Sequence, residues 1–226
     1  MQPWILLATA TAPGGDVLRL LRRGEEFSIR LQGGNELMNS RLCGSEEAHA
    51  TLALDRLANR PAPRVLIGGL GMGFTLRAAQ AVAPPGARFV VAEIVPDLIG
   101  WAGQHMATVF GTCLADPRVE VRTGDVGAMI GAAAGAFDAI LLDVDNGPDG
   151  LTRAGNDALY GDEGLRSARR ALVPGGVLAV WSAAPDAAFA KRLARCGFEV
   201  GTHTVRAGHT GRGARHTIWI AVRSGG

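Results

Sequence analysis

From residue 64 onward, short apolar strands alternate with segments of helical character, and this alternation constrains the fold more than any other feature. The apolar runs predict strands at 64–69, 87–93, 118–122, 137–143 and 177–181. The segments around them predict helices at 74–82, 96–109, 125–133, 157–172 and 186–195. Strand–helix units of this length pack as a parallel sheet with helices on both faces. We therefore predict an α/β, Rossmann-like chain.

Both ends of the chain depart from this alternation. Strands predicted at 198–205 and 216–222 follow each other without a helix between them. They imply an antiparallel C-terminal hairpin at the edge of a seven-stranded sheet. At the front, 16–23, 26–31 and 36–38 read as strands separated by glycine turns, which predicts a small β unit.

A helix is predicted at 45–59, with Ser45 as its N-cap and two glutamates in its first turn. This helix marks the change from the front β unit to the strand–helix pattern. We therefore divide the chain into an N-terminal β-hairpin unit, 1–44, and a Rossmann-like domain, 45–226.

The composition excludes several classes of protein. Hydrophobic residues make up 47% of the 226 and charged residues 19%, which rules out a disordered chain. No apolar run approaches the ~20 residues of a membrane span, so we expect no membrane partner. A formal net charge of +2 gives no reason to expect a nucleic-acid partner. The three scattered cysteines, without a CxxC pair, are typical of a reduced, cytoplasmic protein.

The histidines near the C-terminus do not predict a metal site. His203, His209 and His216 have spacings of six and seven, which match no zinc motif. Arginines dominate the charge of this part of the chain. The basic, glycine-rich loop 206–215 is either a lid over an anionic substrate or a long hairpin turn, and the sequence leaves both open.

The glycine turn after the first of the alternating strands predicts a ligand site. Its four glycines let the backbone turn sharply and approach a ligand with no side chain between them: Gly68, Gly69, Gly71 and Gly73. Glu93 lies twenty residues past Gly73, at the end of the second strand, where a carboxylate accepts hydrogen bonds from a ribose diol. The turn and this acid, with its neighbour Ile94, predict a nucleoside-containing cofactor.

Further acids follow the next two strands at the same edge of the sheet. Asp125, between Gly124 and Val126, either binds an exocyclic amine such as that of adenine or caps the next helix, and both roles can coexist. Asp143 ends the fourth strand, and Asp145 follows two residues later. We predict that Asp143 positions a substrate or acts as a base, with Asp145 as second candidate; Asp145 could instead form an Asx turn.

Five segments together resemble the spermidine synthase-like branch of class I S-adenosylmethionine-dependent methyltransferase folds. They are Val65-Leu-Ile-Gly-Gly-Leu-Gly-Met-Gly73, Val91-Ala-Glu-Ile-Val-Pro-Asp97, Asp116-Pro-Arg-Val-Glu-Val-Arg-Thr-Gly-Asp125, Phe137-Asp-Ala-Ile-Leu-Leu-Asp143 and Leu172-Val-Pro-Gly-Gly-Val-Leu178. The third segment is the most specific. The resemblance spans residues 16–222, including the front β unit.

The resemblance implies a role for each candidate residue. The glycines would pass the methionine part of the cofactor, Glu93 would bind the ribose and Asp125 the adenine amino group. Asp143 would face the reacting centre, and Glu46 or Glu47 the substrate. Trp181 either walls the substrate pocket or packs in the core. The cofactor would be S-adenosylmethionine or its decarboxylated form, and the protein a homodimer acting on a small molecule.

Departures from the family pattern shape the functional prediction. Gly71 stands where spermidine synthases carry an aspartate, Tyr160 is the only tyrosine, and Trp181-Ser182 replaces a usual glutamine. The motif after the fourth strand is also shortened. A cationic diamine needs several fixed acceptors to offset its lost hydration. We therefore favour methyl transfer to a small molecule, with polyamine aminopropyl transfer and a non-catalytic nucleoside-binding module as alternatives.

Overall fold

The computed structural model describes residues 2–144, 158–208 and 213–225, and it confirms the predicted α/β architecture. The strands are β1 (Ile5–Thr11), β2 (Val17–Arg23), β3 (Glu26–Leu31), β4 (Glu36–Asn39), β5 (Arg64–Gly68), β6 (Arg88–Glu93), β7 (Val119–Thr123), β8 (Phe137–Leu142), β9 (Leu172–Ser182), β10 (Phe198–Arg206) and β11 (Arg215–Arg223). The helices are α1 (Gly44–Asp55), α2 (Phe74–Val82), α3 (Pro96–Gln104), α4 (Ala107–Phe110), α5 (Val126–Ala132), α6 (Asp162–Ala171) and α7 (Ala187–Arg195), with a 3₁₀ turn at Cys113–Ala115.

The larger sheet has seven strands in the order β10-β11-β9-β8-β5-β6-β7. The strands from β9 to β7 are parallel, whereas β11 runs antiparallel to both of its neighbours, β9 and β10. This is the predicted edge hairpin. The chain order reverses beside β5, which pairs with β6 on one side and β8 on the other.

Two apolar layers cover the two faces of this sheet. Alternate residues of the central strands contribute to opposite layers, so that Ile67 joins one and Leu66 the other. The first layer includes side chains of α1, α2 and α3, and the second those of α5, α6 and α7. Strands buried on both faces explain the nearly continuous apolar runs in the sequence.

The front β unit is a separate antiparallel sheet in the order β1-β2-β3-β4. β1 was not predicted from the sequence. Its burial pattern does not alternate, because most of its side chains are exposed or half-buried. Leu20 and Ile29 of this sheet belong to the same apolar cluster as Val65 and Phe89 of the larger sheet. The division of the chain at residue 44 stays a prediction.

Three predicted element boundaries are wrong. The helix predicted at 96–109 breaks after Gln104, and the break places Met106 fully in the core. Residues 158–160 are helical as predicted, but Gly161 interrupts the helix predicted at 157–172, and α6 begins at Asp162. β9 begins at Leu172, directly after α6, with a register shift before Val177.

The predicted N-cap of α1 is also wrong. The helix begins at Gly44, its N-cap position is Cys43, and no side chain caps it. Ser45 lies inside the first turn with a fully buried side chain. None of the helices in the described part of the chain has the length and apolarity to cross a membrane.

Candidate active site

The candidate site is a cleft at the carboxyl ends of the parallel strands, beside the point where the strand order reverses. Open α/β sheets bind ligands at this position, because the loops there diverge to opposite faces of the sheet. The loop after β5, the ends of β6 and β7 and the end of β8 all contribute to it. The cleft consists of two adjoining pockets.

The first pocket encloses about 900 Å³ between its lining atoms, part of it open to solvent. Its lining comprises Ala12, Asp16, Leu18, Leu31, Leu37, Met38, Gly69, Gly71, Ala92, Glu93, Ile94, Val95, Leu98, Gly124, Asp125, Val126, Asp143 and Val144. Apolar side chains form most of the wall, and the charged side chains among the described lining residues are acidic.

Glycines are required at two points of the turn between β5 and α2. Gly69 has φ +90°, and a Cβ there would lie 2.6 Å from the carbonyl oxygen of Asp143. Gly73 has φ +77°, and its Cβ would lie 2.7 Å from the ring of Phe110. The turn can therefore pack against the end of β8 and begin α2 only without side chains at these positions.

Glu93 is fixed at the end of β6 by backbone amides. Its side chain is only 5% exposed. The Leu70 N–H donates to Oε2 at 3.0 Å and the Val95 N–H to Oε1 at 2.8 Å. These two bonds fix the orientation of the carboxylate at the lining of the first pocket.

Asp125 performs the capping role that the sequence allowed. Its Oδ1 accepts a hydrogen bond of 3.0 Å from the Ala128 N–H as N-cap of α5. The same residue lines the first pocket together with Gly124 and Val126. Capping uses one oxygen, and Oδ2 accepts no hydrogen bond among the described residues. The adenine role predicted from the sequence is compatible with the cap.

The second pocket, of about 680 Å³ including open space, adjoins the first at Gly71 and Asp143. It is lined by Leu37, Met38, Asn39, Glu46, Leu70, Gly71, Met72, Phe74, Thr75, Asp143 and Trp181. Trp181 is 9% exposed, and its Nε1 has no hydrogen-bond partner in the described part of the chain. The tryptophan therefore walls this pocket as well as packing against the core.

Asp143 lies where the two pockets meet. Its backbone N–H donates to the Gly68 carbonyl at 3.1 Å, which continues the β5–β8 pairing to the rim of the cleft. Its Oδ2 accepts a 2.8 Å hydrogen bond from the hydroxyl of Thr75. The carboxylate is thus held by Thr75 of α2 and lines both pockets.

Glu46 brings a second carboxylate into the second pocket. Burial, reinforced by the nearby charge of Asp143, raises the pKa of Glu46 to about 7, against a smaller opposing effect of its hydrogen bond from Ser45. Clustered carboxylates with a raised pKa are typical of sites that bind a cation or accept a proton. Glu47 lines neither pocket and instead faces Cys43.

His49 is fully buried on α1 near these carboxylates. Neither of its ring nitrogens makes a hydrogen bond of normal geometry within the described residues. Burial lowers the pKa of His49, although the charge of Asp143 and the Ala179 backbone oppose the shift. The ring is therefore a neutral group behind the second pocket.

The structure brings most of the predicted site residues to the cleft, but not all. Gly68 and Gly73 shape the turn without lining a pocket. Asp145 lies outside the described residues. Sequence reasoning missed Asp16, Met38 and Thr75, since nothing in the local pattern shows that the front sheet folds over the glycine turn. The described residues contain no cluster of His, Cys, Asp or Glu arranged to hold a metal ion.

Comparison with known proteins finds polyamine aminopropyltransferases among the relatives of this chain. A polyamine aminopropyltransferase of Nitrosomonas europaea is 37% identical over 98 residues, which are 43% of this chain and 29% of the relative. A polyamine aminopropyltransferase of Mycobacterium tuberculosis is 30% identical over 168 residues, 73% of this chain and 30% of the relative. The chain thus spans about 30% of the length of these curated relatives. No protein-family model matches the chain.

Solved structures of spermidine synthases share the fold. The spermidine synthase of Thermotoga maritima superposes with a TM-score of 0.74 at 17% identity, covering 98% of this chain and 74% of that one. A spermidine synthase in complex with the transition-state analogue AdoDATO gives a TM-score of 0.73 at 16% identity, covering 98% and 73% of the two chains.

The fold and the cleft define an α/β protein of the class I S-adenosylmethionine methyltransferase-like type, with its ligand site at the switch point of the sheet. Within that class, the chain has the spermidine synthase-like fold and is homologous to the polyamine aminopropyltransferases. The comparisons do not support methyl transfer, which we favoured from the sequence. The matching relatives are polyamine aminopropyltransferases, the class that we named as an alternative.

Proposed function

We propose that the protein transfers an aminopropyl group from decarboxylated S-adenosylmethionine to an amine. The observation that carries this proposal is the charge of the cleft. Among the described residues, the charged side chains that line the two pockets are all acidic: Asp16, Glu46, Glu93, Asp125 and Asp143. The decarboxylated donor carries a sulfonium and an ammonium and no carboxylate, so it complements this lining. The carboxylate of S-adenosylmethionine would be repelled by it.

The first pocket is the proposed site of the donor. Glu93, held by two backbone amides, would accept the ribose hydroxyls, and the second oxygen of Asp125 would accept the adenine amino group. Ile94 and Leu98 supply apolar surface for the flat base. The glycine turn, with Gly71 facing both pockets, would leave room for the chain that leads to the sulfonium.

The second pocket is the proposed site of the acceptor amine. Glu46 and Asp143 supply negative charge for an ammonium group, and Trp181 supplies an aromatic wall. The apolar residues Met72 and Phe74 complete the lining next to these groups. An amine held here would lie beside the junction of the pockets, where the carbon to be transferred would be.

When bound, the donor supplies a methylene carbon activated by the sulfonium. The protein must align the amine nitrogen with that carbon and remove a proton from the amine, since an ammonium has no lone pair for the attack. Asp143, fixed by Thr75, would orient the amine. Glu46, with its pKa raised to about 7, would accept the proton near neutral pH. One C–S bond breaks, one C–N bond forms, and one proton is released.

The experiment is an incubation of the purified protein with decarboxylated S-adenosylmethionine and putrescine, with mass spectrometry of the products. We expect release of methylthioadenosine and formation of an aminopropylated amine. Asp143→Asn should lower the rate at least about a hundredfold, whereas the control Glu199→Gln, on the exposed edge strand β10, should not change it. Methyl transfer from S-adenosylmethionine, or no turnover with any amine, would contradict the proposal.

A cytoplasmic location and a homodimer belong to the same proposal. The three cysteines form no disulfide with one another, which suits a reducing compartment. The exposed apolar side chains Ile5 and Leu6 on the edge strand β1 favour self-association. Light scattering of the purified protein tests the dimer directly.

A further inference from the structure

The negative charge of the second pocket is concentrated in one place. Among the described residues that line this pocket, only Glu46 and Asp143 carry a charge. The Ser45 hydroxyl donates to Oε2 of Glu46 at 2.6 Å, and the Thr75 hydroxyl donates to Oδ2 of Asp143 at 2.8 Å. The two carboxylates are near enough for the charge of Asp143 to raise the pKa of Glu46. They therefore form a single anionic subsite, held by two hydroxyls.

The indole of Trp181 belongs to the same part of the pocket. The Ser45 oxygen lies 2.8 Å from Nδ1 of His216, and the His216 ring packs edge-on against Trp181 with centroids 4.7 Å apart. These contacts connect the indole to the residue that holds Glu46. Because the face of a tryptophan attracts an ammonium group, the indole and the two carboxylates together suit one cation.

The rest of the lining is largely apolar and comes from the glycine turn and from β4. A Cβ on Gly71 would lie 3.6 Å from Sδ of Met38, so the thioether of β4 covers the turn. The apolar residues of this part are Leu37, Met38, Leu70, Met72 and Phe74. Leu37, Met38 and Phe74 are only half-buried. A ligand that covers their exposed apolar surface is stabilised by removing it from water.

Asn39 also lines the second pocket, but its side chain is engaged within the front β unit. Its Oδ1 accepts hydrogen bonds from the N–H groups of Arg41 and Leu42, at 3.0 and 3.1 Å. Its Nδ2 donates to Oε1 of Glu36 at 2.8 Å. An amide oxygen has two acceptor sites, and here both are occupied. Asn39 therefore has no free acceptor for an ammonium group of a ligand.

This lining distinguishes a monoamine from a diamine. The first ammonium of either amine can pair with the anionic subsite. The second ammonium of a diamine would leave water for apolar surface without a charged partner, which is costly. A methyl group at the same position would instead gain from burial. 1-Aminopentane and putrescine differ in this one respect, since a terminal methyl group of the first replaces an ammonium of the second.

We propose that the acceptor is a primary monoamine with an apolar tail rather than a diamine. This inference rests on the proposed function and names the substrate class of its acceptor site. The ammonium end would lie beside Glu46, Asp143 and Trp181, and the tail would lie along Met38 and Phe74. Once the amine has lost a proton, its nitrogen forms the new C–N bond. The C–S bond of the donor breaks with its electron pair going to sulfur, and methylthioadenosine leaves.

The first test compares the two amines in turnover. The release of methylthioadenosine from decarboxylated S-adenosylmethionine gives kcat/KM for 1-aminopentane and for putrescine. We expect kcat/KM to be at least about tenfold higher for 1-aminopentane. An equal or higher value for putrescine would overturn the inference and leave aminopropyl transfer intact. A protein that transfers to neither of these amines, nor to any other, would contradict the proposed function instead.

The second test needs no turnover, so it decides the substrate class even where the proposed function fails. The two amines are titrated into the protein by calorimetry in the presence of methylthioadenosine. We expect the Kd of putrescine to be at least about tenfold higher than that of 1-aminopentane. Equal affinity for the two amines, or tighter binding of putrescine, would overturn the inference.

The third test adds a carboxylate to the apolar part of the pocket. Met38→Glu should shift the ratio of the two kcat/KM values at least about tenfold toward putrescine. The ratio is measured within one preparation, so a loss of folded protein cancels. Phe74→Glu is a second variant, in the first turn of α2, where an acidic side chain suits the helix.

Val82→Glu is the matched control for these two variants. It adds the same charge at an exposed position at the end of α2, away from both pockets, and should leave the ratio unchanged. A ratio that stays at the wild-type value in both Met38→Glu and Phe74→Glu would overturn the inference, because the tail of the amine would then not contact these residues.

Discussion

The hydroxyl of Thr75 donates a hydrogen bond of 2.8 Å to Oδ2 of Asp143. Thr75 is buried at the start of α2, directly after the glycine turn, and Asp143 ends β8. The bond therefore joins the two segments that enclose the junction of the pockets. It leaves Oδ1 of Asp143 without a hydrogen bond among the described residues, and in our account this oxygen meets the amine.

Removing the Thr75 hydroxyl should lower the rate of aminopropyl transfer without unfolding the protein. A hydrogen bond to a charged group contributes about 1.5–3 kcal/mol. Without this bond the Asp143 side chain is no longer held in one position, so Thr75→Val should lower kcat about tenfold or more. Thr75→Ser keeps the hydroxyl and should keep the rate. The release of methylthioadenosine measures both. Equal rates for Thr75→Val and the wild type would show that the bond does not position Asp143 for turnover.

Glu46 should reduce the stability of the fold at neutral and higher pH. Its pKa in the folded state is raised from 4.5 to about 7, so between these values the folded protein holds a proton that the unfolded chain releases. The free energy of unfolding therefore falls as the pH rises through this range.

The variant Glu46→Gln removes this effect. It should be more stable than the wild type at pH 8, by about 1–3 kcal/mol, and no more stable at pH 4.5. Urea unfolding at the two pH values measures the difference, with Glu199→Gln as a control on an exposed strand. A gain in stability that is the same at both pH values would contradict the raised pKa.

The glycine turn should tolerate no side chain at residue 69. A Cβ there would lie 2.6 Å from the Asp143 carbonyl oxygen, at a φ of +90°. Gly69→Ala should therefore cost at least about 2 kcal/mol of stability and abolish donor binding in calorimetry. Gly33→Ala, where a Cβ meets nothing within 4 Å, is the matched control. Normal donor affinity in Gly69→Ala would mean that the turn does not form the donor pocket.

Asp138 should stabilise the fold without contributing to function. It is 7% exposed at the start of β8, far along the strand from the cleft, and accepts hydrogen bonds from the Arg60 guanidinium and, at 2.8 Å, the Arg64 N–H. Asp138→Asn should lower the free energy of unfolding by about 2 kcal/mol and leave the donor Kd within about twofold. A large change in Kd would instead connect this end of the sheet to the site.

The strand–helix alternation predicted the sheet well because buried parallel strands leave continuous apolar runs. The acids at the strand ends could also be placed from the sequence, since parallel strands bring their carboxyl ends to one edge. The features that the sequence did not predict depend on contacts between segments that are distant in the chain. Ser45 meets His216 across 171 positions of the chain, and no local pattern distinguishes this serine from an N-cap. Most side chains of β1 are exposed, so its sequence does not alternate between apolar and polar residues in the way that would predict a strand.

The measurement that tests the central claim most directly is a calorimetric comparison of two donors. The acidic lining of the cleft predicts that decarboxylated S-adenosylmethionine binds at least about tenfold more tightly than S-adenosylmethionine, a difference of about 1.4 kcal/mol. Glu93→Gln should weaken both donors alike, because the ribose is common to them. Equal affinity for the two donors, or a preference for the one with the carboxylate, would contradict the account.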